Sequence, residues 1–541
     1  MIQIAGVEFG QYKSVTDVFL EACGKYANKP SYSCMGQTLT FADMDRLTAN
    51  FASYLQNHTD LEVGDRIAIQ LPNVLQFPIA VFGAMRAGMV VVNTNPLYTE
   101  REMEHQFNDS GAKALLILAN MASLAENVVP KTGVKHVIVT ELADMHPFAK
   151  RLLINTVVKR VKKMVPAYSL PQAVSMRAAL ALGAQTAHTP AAAGLDDTAV
   201  LQYTGGTTGV SKGAQLLHQN LVANMMQIRD VVMNDLDGDR EVIIAPLPLY
   251  HIYAFTMGLV MADMGHEMVL IPNPRDIPGF VKELSKHKFT SFAGLNTLFV
   301  ALCNNAEFKQ LDFSTLKTTI SGGMALTQSA ADIWKGVTGC TIQEGYGLTE
   351  TAPVVTINPS NDIRIGSIGL VVAGTEVKVI GEDGTDLGLD KEGELCVKGP
   401  QVMAGYWNRP EATAEAIDAD GWFKTGDVAI LAEDGFIRLV DRIKDMIIVS
   451  GFNVYPNEID DIASQHDGIM ECAAVGIPNE VTGETVRLYV VKADPNLTDA
   501  DVIAHCRENL TPYKVPKEII FRDDLPKTNV GKILRRALRD Q

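Results

Sequence analysis

The sequence predicts an α/β protein with a large N-terminal region of several subdomains and a small α+β domain at its C-terminal end. Three observations support this. Short apolar runs alternate with amphipathic stretches through the first part of the chain. After about residue 370, short strands separated by Gly/Asp turns replace that alternation, and from residue 444 helices and strands mix again. With 541 residues, the chain exceeds what one hydrophobic core usually holds.

The alternation begins early in the chain. DRIAIQL is typical of a strand, PIAVFGAMRAG of a helix and MVVVNT of the next strand, and AKALLIL and KHVIVT follow as further buried strands. Strands that alternate with helices favour largely parallel sheets covered by helices. We therefore expect layered α/β subdomains.

The pattern of strand-like and helix-like runs after about residue 370 predicts two smaller units. TEVKVI, GELCVKG and GFIRLVDR are strand-like runs between turn residues, which indicates a small β-rich unit. Beyond them come strand MIIVSG, helix PNEIDDIAS, strands CAAVGIP and VRLYVVKA, and helix DADVIAHCRENL. This is the content of a separate domain of about 100 residues. With DRIKD (441–445) as the boundary, we predict domains at 1–443 and 444–541.

Composition excludes several function classes. The formal net charge of −16 argues against nucleic acid as a partner. Seven scattered cysteines without a CxxC pair suit reduced thiols in a cytoplasmic protein. The N-terminus lacks the pattern of a signal peptide, and the longest apolar run, FPIAVFGAMRAGMVVV, is interrupted by Arg86, so we expect no spanning helix. A homodimer remains open.

The stretch YTGGTTGVSKGA (203–214) packs glycines, threonines and Lys212 between a predicted strand and a predicted helix. Backbone N–H groups of such a turn can converge on an anion, and a lysine adds charge. The stretch is not a Walker A loop, because Ser211 precedes Lys212 and Gly213 follows it. The sequence predicts a phosphate-binding loop, with a flexible surface loop as the alternative.

Further motifs in the same order make the chain similar to the adenylate-forming superfamily, which includes acyl-CoA synthetases, luciferases and peptide-synthetase adenylation domains. They are SGGMAL (321–326), EGYGLTET (344–351), GWFKTGD (421–427), DRIKDMIIVSGFNVYPNEID (441–460) and PKTNVGKILRR (526–536). GWFKTGD leading into DRIKDMIIVSGFNVYPNEID is especially similar to bacterial long-chain fatty acid–CoA ligases. The resemblance implies two layered α/β subdomains, a small β-barrel-like unit and a mobile C-terminal domain.

The resemblance also implies an ATP site. In this family a carboxylate attacks the α-phosphate of ATP, and a thiol then displaces AMP. Thr204 and Glu350 match the Mg²⁺ ligands, Asp427 the carboxylate that receives the ribose hydroxyls, and Arg442 a ribose or phosphate contact. Tyr346 would stack on adenine. The remaining nucleotide contacts would be Gly205, Gly206, Thr207, Thr208, Gly209 and Lys212 in the phosphate loop, Gly322, Gly323 and Met324 in the adenine turn, and Gly347 and Thr349.

Two parts of the C-terminal domain match the two half-reactions. Lys532 matches the lysine that bridges the reacting carboxylate and the α-phosphate, where an ammonium offsets charge of the transition state. Lys444 matches the hinge about which the small domain rotates after adenylation. Ser450 and Gly451 would then border the tunnel for the pantetheine arm of coenzyme A.

The acid substrate is predicted from PLPLYHIYAFT (246–256), the segment that matches the family's acid-binding region. It holds no aspartate to pair with an amino acid's ammonium, and a buried unpaired ammonium is costly. His251 matches a histidine near the reacting carboxylate, with a core histidine as the alternative. TSFAGLNTLFVALC (290–303) offers an apolar wall for an alkyl chain, and Phe255 lies near a position where relatives carry a tryptophan gate.

A basic stretch stands out in this acidic chain. Residues 145–195 hold no Asp or Glu but seven Lys or Arg. At 100° per residue, RLLINTVVKRVKKMV (151–165) places apolar residues on one arc and basic residues on the other, and Pro166 would end the helix. This is typical of an interfacial helix on anionic lipid, here the inner face of the cytoplasmic membrane. A surface helix packed on the core is the alternative.

The sequence therefore predicts an ATP-, Mg²⁺- and coenzyme A-dependent ligase for medium- to long-chain fatty acids. One alternative is a fatty acyl-AMP ligase that loads a carrier protein. Another is a non-catalytic lipid- or nucleotide-binding module, against which the joint presence of Thr204, Glu350, Asp427 and Lys532 argues.

Overall fold

A computed structural model describes the backbone of residues 2–3 and all of residues 12–204, 211–233, 235–479, 481–528 and 531–539. Its strands, in chain order, are β1 (Ile2–Gln3), β2 (Pro30–Cys34), β3 (Gln37–Thr40), β4 (Arg66–Gln70), β5 (Val90–Asn93), β6 (Ala112–Leu118), β7 (His136–Thr140), β8 (Val174–Ser175), β9 (Thr198–Thr204), β10 (Lys212–Leu217), β11 (Val242–Ala245), β12 (Glu267–Leu270), β13 (Ser291–Gly294), β14 (Thr318–Gly322), β15 (Ile342–Gly347), β16 (Val354–Ile357), β17 (Leu370–Val371), β18 (Glu376–Ile380), β19 (Glu392–Lys398), β20 (Gly405–Tyr406), β21 (Phe423–Leu431), β22 (Ile437–Arg442), β23 (Ile447–Val449), β24 (Phe452–Val454), β25 (Ile469–Asn479), β26 (Gly483–Lys492) and β27 (Glu518–Arg522).

The α-helices are α1 (Val15–Lys25), α2 (Phe41–Asn57), α3 (Gln76–Arg86), α4 (Glu100–Ser110), α5 (Ala122–Val128), α6 (Phe148–Thr156), α7 (Met176–Gly183), α8 (His218–Val232), α9 (Ile252–Met264), α10 (Ile277–Leu284), α11 (Asn296–Cys303), α12 (Gln328–Thr338), α13 (Pro410–Ala416), α14 (Pro456–Ser464), α15 (Asp499–Asn509) and α16 (Arg535–Arg539). Local sequence explains several helix starts. Thr40, Thr99 and Thr498 each form a capping box with the acidic residue three positions later, which satisfies N–H groups left open at a helix start.

The first sheet has the order β20-β10-β9-β5-β4-β6-β7-β8. It is parallel from β9 to β8, while β10 and β20 add antiparallel strands at one edge. The predicted strand–helix–strand series from DRIAIQL to KHVIVT is confirmed as β4, α3, β5, β6 and β7. These strands are buried nearly throughout, as expected for a parallel sheet covered on both faces.

The second sheet has the order β17-β16-β15-β14-β13-β11-β12-β2-β3 and is parallel from β15 to β2. Helices α1, α2, α3, α8 and α9 share one hydrophobic core, which joins the first and second sheets. The last residues of β5, β9, β14 and β15 line one common cavity, at the kind of strand end where open α/β sheets place their ligands.

Two further sheets follow. The third, β1-β18-β19-β21-β22, is antiparallel and forms the predicted β-rich unit. The fourth has the order β24-β23-β26-β25, with β27 parallel to β26, and packs on α14 and α15 around its own core. The chain leaves the third sheet at Arg442 and enters the fourth at Ile447. The division at 443/444 stays a prediction.

The basic stretch differs from the predicted regular helix over 151–165. Helix α6 ends at Thr156, a π-helical turn follows over Val157–Val161, and Lys163 has a φ of 51°. The turn widens because the N–H of Lys162 donates to the carbonyl oxygen of Val157, five residues back. The left-handed backbone at Lys163 then ends the helix before Pro166 is reached. Within the described residues, no helix is long and apolar enough to cross a membrane.

Candidate active site

A cavity of about 1970 Å³ lies where the strand ends of the first two sheets meet the third sheet and the C-terminal domain. All four parts of the fold contribute to its walls. The predicted residues that line it are Thr204, Lys212, His251, Gly322, Gly323, Met324, Tyr346, Gly347, Thr349, Glu350, Asp427, Arg442, Lys444 and Lys532. Residues separated by more than 300 positions in the chain thus share one site.

The stems of the phosphate loop are the last residue of β9 and the first residue of β10. Thr204 and Lys212 face each other in the antiparallel ladder. The Lys212 ammonium lies 5.0 Å from the centre of the Tyr406 ring. The predicted contacts at Gly205, Gly206, Thr207, Thr208 and Gly209 lie outside the described residues.

The predicted metal ligands lie beside this stem. Glu350 belongs to the 3₁₀ turn Thr349–Thr351, and its Oε1 accepts a hydrogen bond of 2.8 Å from the Tyr406 hydroxyl, which orients the carboxylate. The described residues contain no group of three His, Cys, Asp or Glu side chains able to hold a metal. One carboxylate and one hydroxyl are hard oxygen ligands that fit a magnesium ion shared with phosphate groups, so Thr204 and Glu350 would hold it.

A buried tyrosine–aspartate–arginine group forms the opposite wall. Asp427 on β21 is 2% exposed, and its Oδ2 accepts a hydrogen bond of 2.5 Å from the Tyr346 hydroxyl. Arg442, its register partner on β22, places Nε 3.1 Å from Oδ1. Burial raises the pKa of Asp427, and Arg442 and the Tyr346 hydroxyl oppose that shift. This pairing fixes the carboxylate beside the tyrosine ring.

Lys532 reaches this wall from the C-terminal domain. A Cβ at Gly323, in the turn after β14, would lie 3.4 Å from its Cε and 3.8 Å from its Nζ. Burial lowers the pKa of Lys532 to about 8; nearby Arg442 adds to the shift, and the carboxylates of Asp427 and Glu350 oppose it. Glycine is needed at 323 because its φ is +88°. The result is a cation held against the predicted adenine turn.

His251 precedes helix α9 at the bottom of the cavity. Its Nδ1 accepts from the N–H of Tyr253 at 3.4 Å, so the proton of the neutral ring lies on Nε2. Burial lowers the pKa of His251 to about 3, and the Lys532 charge adds to the shift. The imidazole is therefore neutral near pH 7 and can donate from Nε2 toward an anion.

The predicted apolar wall is divided between core and cavity. Phe299, Leu302 and Cys303 pack in the hydrophobic cluster around Trp334. The cavity instead meets Asn296, Thr297 and Val300 of the same segment, and Asn304 directly after it. Phe255 packs in the core shared by the first two sheets and is not among the lining residues, so its position does not support a gate.

Comparison with known proteins agrees with this geometry. A family model described as "AMP-binding enzyme" matches residues 19–407, and "AMP-binding enzyme C-terminal domain" matches 458–532. The chain belongs to the AMP-binding enzyme family.

Relatives and solved structures cover nearly all of this AMP-binding enzyme. The long-chain-fatty-acid–CoA ligase of Salmonella typhimurium is 52% identical over 98% of this chain and 95% of its own, and the protein of that name from Bacillus subtilis is 36% identical over 98% and 94%. ATP-bound MatB from Rhodopseudomonas palustris is 27% identical, with a TM-score of 0.82 and 97% and 98% coverage. An anthranilate CoA ligase complexed with anthranoyl-AMP, 23% identical, shares the fold, with a TM-score of 0.87 and 99% and 98% coverage.

The predicted coenzyme A side of this AMP-binding enzyme lies elsewhere. Ser450 and Gly451 form the tight turn between β23 and β24, with φ values of +54° and +82°, and both are exposed. They are not among the residues that line the cavity, whereas Lys444 is. The structure thus brings together the predicted adenylation residues but not the predicted thiol-side pair, whose role stays a prediction.

Sequence reasoning missed two residues of the site. Tyr406 orients Glu350 but lies outside the quoted motifs. Glu344 begins the motif EGYGLTET, yet it was not singled out. Its Oε1 accepts a hydrogen bond of 3.0 Å from the N–H of Leu326, which ties the SGGMAL turn to β15. Burial raises the pKa of Glu344 to about 8. The available signal was a carboxylate inside a strand whose first residues are buried.

Proposed function

We propose that this AMP-binding enzyme activates medium- to long-chain fatty acids to acyl-CoA through an acyl-adenylate, with release of pyrophosphate and then AMP. The observation that carries the proposal is the meeting of Lys532 with the Gly323 turn, Asp427 and Glu350 in one cavity. The fatty acid as substrate class is supported by relatives that are about half identical along the whole chain and are named long-chain-fatty-acid–CoA ligases.

The first half-reaction uses the residues of this cavity. The fatty carboxylate attacks the α-phosphorus of ATP, a bond to the acyl oxygen forms, and pyrophosphate leaves with the electron pair. The Lys532 ammonium is placed to offset the charge that builds up between carboxylate and phosphate. His251 is placed to donate from Nε2 to the carboxylate. When bound by Thr204 and Glu350, Mg²⁺ neutralises phosphate charge.

The second half-reaction forms the thioester. The thiolate of coenzyme A attacks the acyl carbon of the adenylate, and AMP leaves as the stable phosphate anion. We assign Lys444 as the hinge for the movement that withdraws Lys532, and Ser450 and Gly451 as the border of the thiol entry. Their exposed turn is available for such contacts.

The deciding test is fatty acid-dependent exchange of labelled pyrophosphate into ATP, followed by thioester formation when coenzyme A is added. Fatty acids from short to long chains would give the preferred length, because each buried methylene contributes about 0.8 kcal/mol. Exchange that does not depend on a fatty acid would refute the substrate class. Exchange without thioester would refute coenzyme A as the acceptor.

We also propose that residues 148–165 bind an anionic membrane surface. Three residues of the apolar arc are exposed: Leu153 is 65% exposed, Val161 71% and Met164 53%. Ile154, Val157 and Val165 are half-buried, and Val158 is buried. Lys159, Arg160, Lys162 and Lys163 are exposed beside it. Apolar side chains flanked by cations suit the interface of anionic lipid, where fatty acids also partition.

Co-sedimentation with phosphatidylglycerol-rich vesicles tests this second proposal. Charge reversal of Lys159, Arg160, Lys162 and Lys163 should remove pelleting and leave pyrophosphate exchange with a soluble medium-chain acid unchanged, because the segment lies outside the cavity. The paired reversals of Lys159 with Arg160 and of Lys162 with Lys163 should each weaken pelleting, whereas a reversal of the exposed pair Lys286 and Lys288 should have no effect. Equal pelleting of all these variants and the wild type would exclude membrane contact through this segment.

A further inference from the structure

Gln202 lies between Thr204, the stem of the predicted phosphate loop, and the predicted acid-binding segment. It is on β9, two residues before Thr204, so both side chains leave the same face of the strand. The side chain is 4% exposed. Its Nε2 donates to the carbonyl oxygen of Tyr250 at 3.0 Å, directly before His251, and its Oε1 accepts from Asn93 Nδ2 at 2.9 Å.

Buried amides fix the orientation of the Gln202 side chain. Because Asn93 donates to Oε1, the amide nitrogen of Gln202 faces Tyr250. Asn93 is itself held by Gln106, whose Nε2 donates to the Asn93 carbonyl oxygen at 3.0 Å. Gln106 and Asn93 are both buried. In this setting an amide that loses its partner costs about 1–3 kcal/mol, so the chain of bonds resists rotation.

The backbone just before Tyr250 is also held by a buried amide side chain from the first sheet's side of the core. Asn73, which follows β4, donates from Nδ2 to the carbonyl oxygens of Ala245 (3.0 Å) and Leu247 (2.8 Å) and accepts from the N–H of Leu249 (2.8 Å). Asn73 is 3% exposed. The backbone of 245–250 from the second sheet is therefore anchored to side chains of the first sheet, and Gln202 supplies the last anchor before His251.

We infer that Gln202 is a positioning residue for adenylation: it sets the distance between His251 and the phosphate-loop stem at Thr204. The inference rests on the proposed function, in which the carboxylate beside His251 must meet the α-phosphate held near Thr204. Reacting atoms need a separation of about 3–3.5 Å, and a misplacement of about 1 Å can cost about 10²-fold in rate. Once the bond between the acyl oxygen and the α-phosphorus has formed, the distance between His251 and Thr204 no longer limits the rate of thioester formation.

Gln202→Met and Gln202→Asn test the inference. Methionine keeps the length but cannot donate, so we expect the kcat of pyrophosphate exchange to fall about 10- to 100-fold, with the KM for ATP within about threefold. Thioester formation from supplied fatty acyl adenylate should stay within about threefold. Asparagine keeps the amide but is one methylene shorter, so it cannot reach Tyr250 and Asn93 together, and Gln202→Asn should lower exchange in the same selective way.

Gln215→Met is the matched control. This glutamine lies on the neighbouring strand β10 and makes one side-chain bond to Thr198, at the far end of β9. Gln215→Met should leave pyrophosphate exchange unchanged. The inference is overturned by Gln202→Met with near-wild-type exchange, by an equal loss in Gln215→Met, or by both half-reactions falling together.

If Gln202→Met does not fold in thermal unfolding measurements, Gln202→Asn decides: unchanged exchange, or an equal loss in thioester formation, overturns the inference. A wild type without fatty acid-dependent exchange refutes the proposed function itself. A fully active wild type with an unaffected Gln202→Met refutes the positioning role alone.

Discussion

Replacing Lys532 by alanine should slow the first half-reaction strongly and the second little. Lys532 is the cation that the C-terminal domain extends to the Gly323 turn, with its Cε 3.4 Å from the position of a Cβ there. It also lies near the carboxylates of Asp427 and Glu350. Loss of one pre-organised group that stabilises developing charge costs about 10²–10³ in kcat, or about 2.7–4 kcal/mol. Alanine leaves Asp427 paired with Arg442, so nucleotide binding should persist.

The assay separates the half-reactions. Pyrophosphate exchange measures adenylation, and supplied fatty acyl adenylate with coenzyme A measures thioester formation. Lys517→Ala is the control, since Lys517 is an exposed lysine of the same domain. Equal losses of Lys532→Ala in both half-reactions would refute the assigned role.

The pH dependence gives a second readout. Because burial lowers the pKa of Lys532 to about 8, the ammonium form is present below that value and is lost as pH rises through it. The protonated form is the active one, so kcat/KM for adenylation should be level below about pH 8 and fall above it. Lys532→Ala should lack this alkaline limb. If Lys532→Ala keeps the same fall of kcat/KM above about pH 8, another titrating group causes that fall.

Three further outcomes are expected. Glu350→Gln removes the anionic metal ligand, so it should lower pyrophosphate exchange by about 10²-fold and raise the Mg²⁺ concentration needed in a magnesium titration. Tyr406→Phe removes only the hydrogen bond that orients Glu350, so its Mg²⁺ requirement should rise less. Lys444→Pro should impair thioester formation more than exchange, and parallel losses in the two assays would argue against the hinge. Glu344→Gln keeps an acceptor for the N–H of Leu326 but cannot ionise. In the folded protein the pKa of Glu344 is raised from 4.5 to about 8, so the stability that its protonated form contributes is present below about pH 4.5 and is lost as the pH rises toward 8. The melting temperature of the variant should therefore exceed that of wild type by a margin that grows from pH 4.5 to pH 8.

Much of the fold followed from local pattern. The β4–β7 series and, in the C-terminal domain, β23, α14, β25, β26 and α15 were recognisable because burial on a strand or helix face repeats with a fixed local period. The short elements β24, β27 and α16 were not predicted. The motif residues were found because each motif is contiguous. The basic segment shows where this fails: the 3.6-residue period predicted a regular helix to 165, but a π-turn and a left-handed residue end it earlier.

The sequence by itself determined the residue types of the site: hydroxyl and carboxylate oxygens for a metal, glycines at turns that need positive φ, and a lysine in a C-terminal loop. Only the tertiary structure decided their environment. The lowered pKa of Lys532, the Tyr406–Glu350 bond, the Gln202 bond to Tyr250 and the exposure of Leu153, Val161 and Met164 depend on which distant segments pack against them. Desolvation and hydrogen bonding are properties of neighbours in space, and a linear pattern does not contain them.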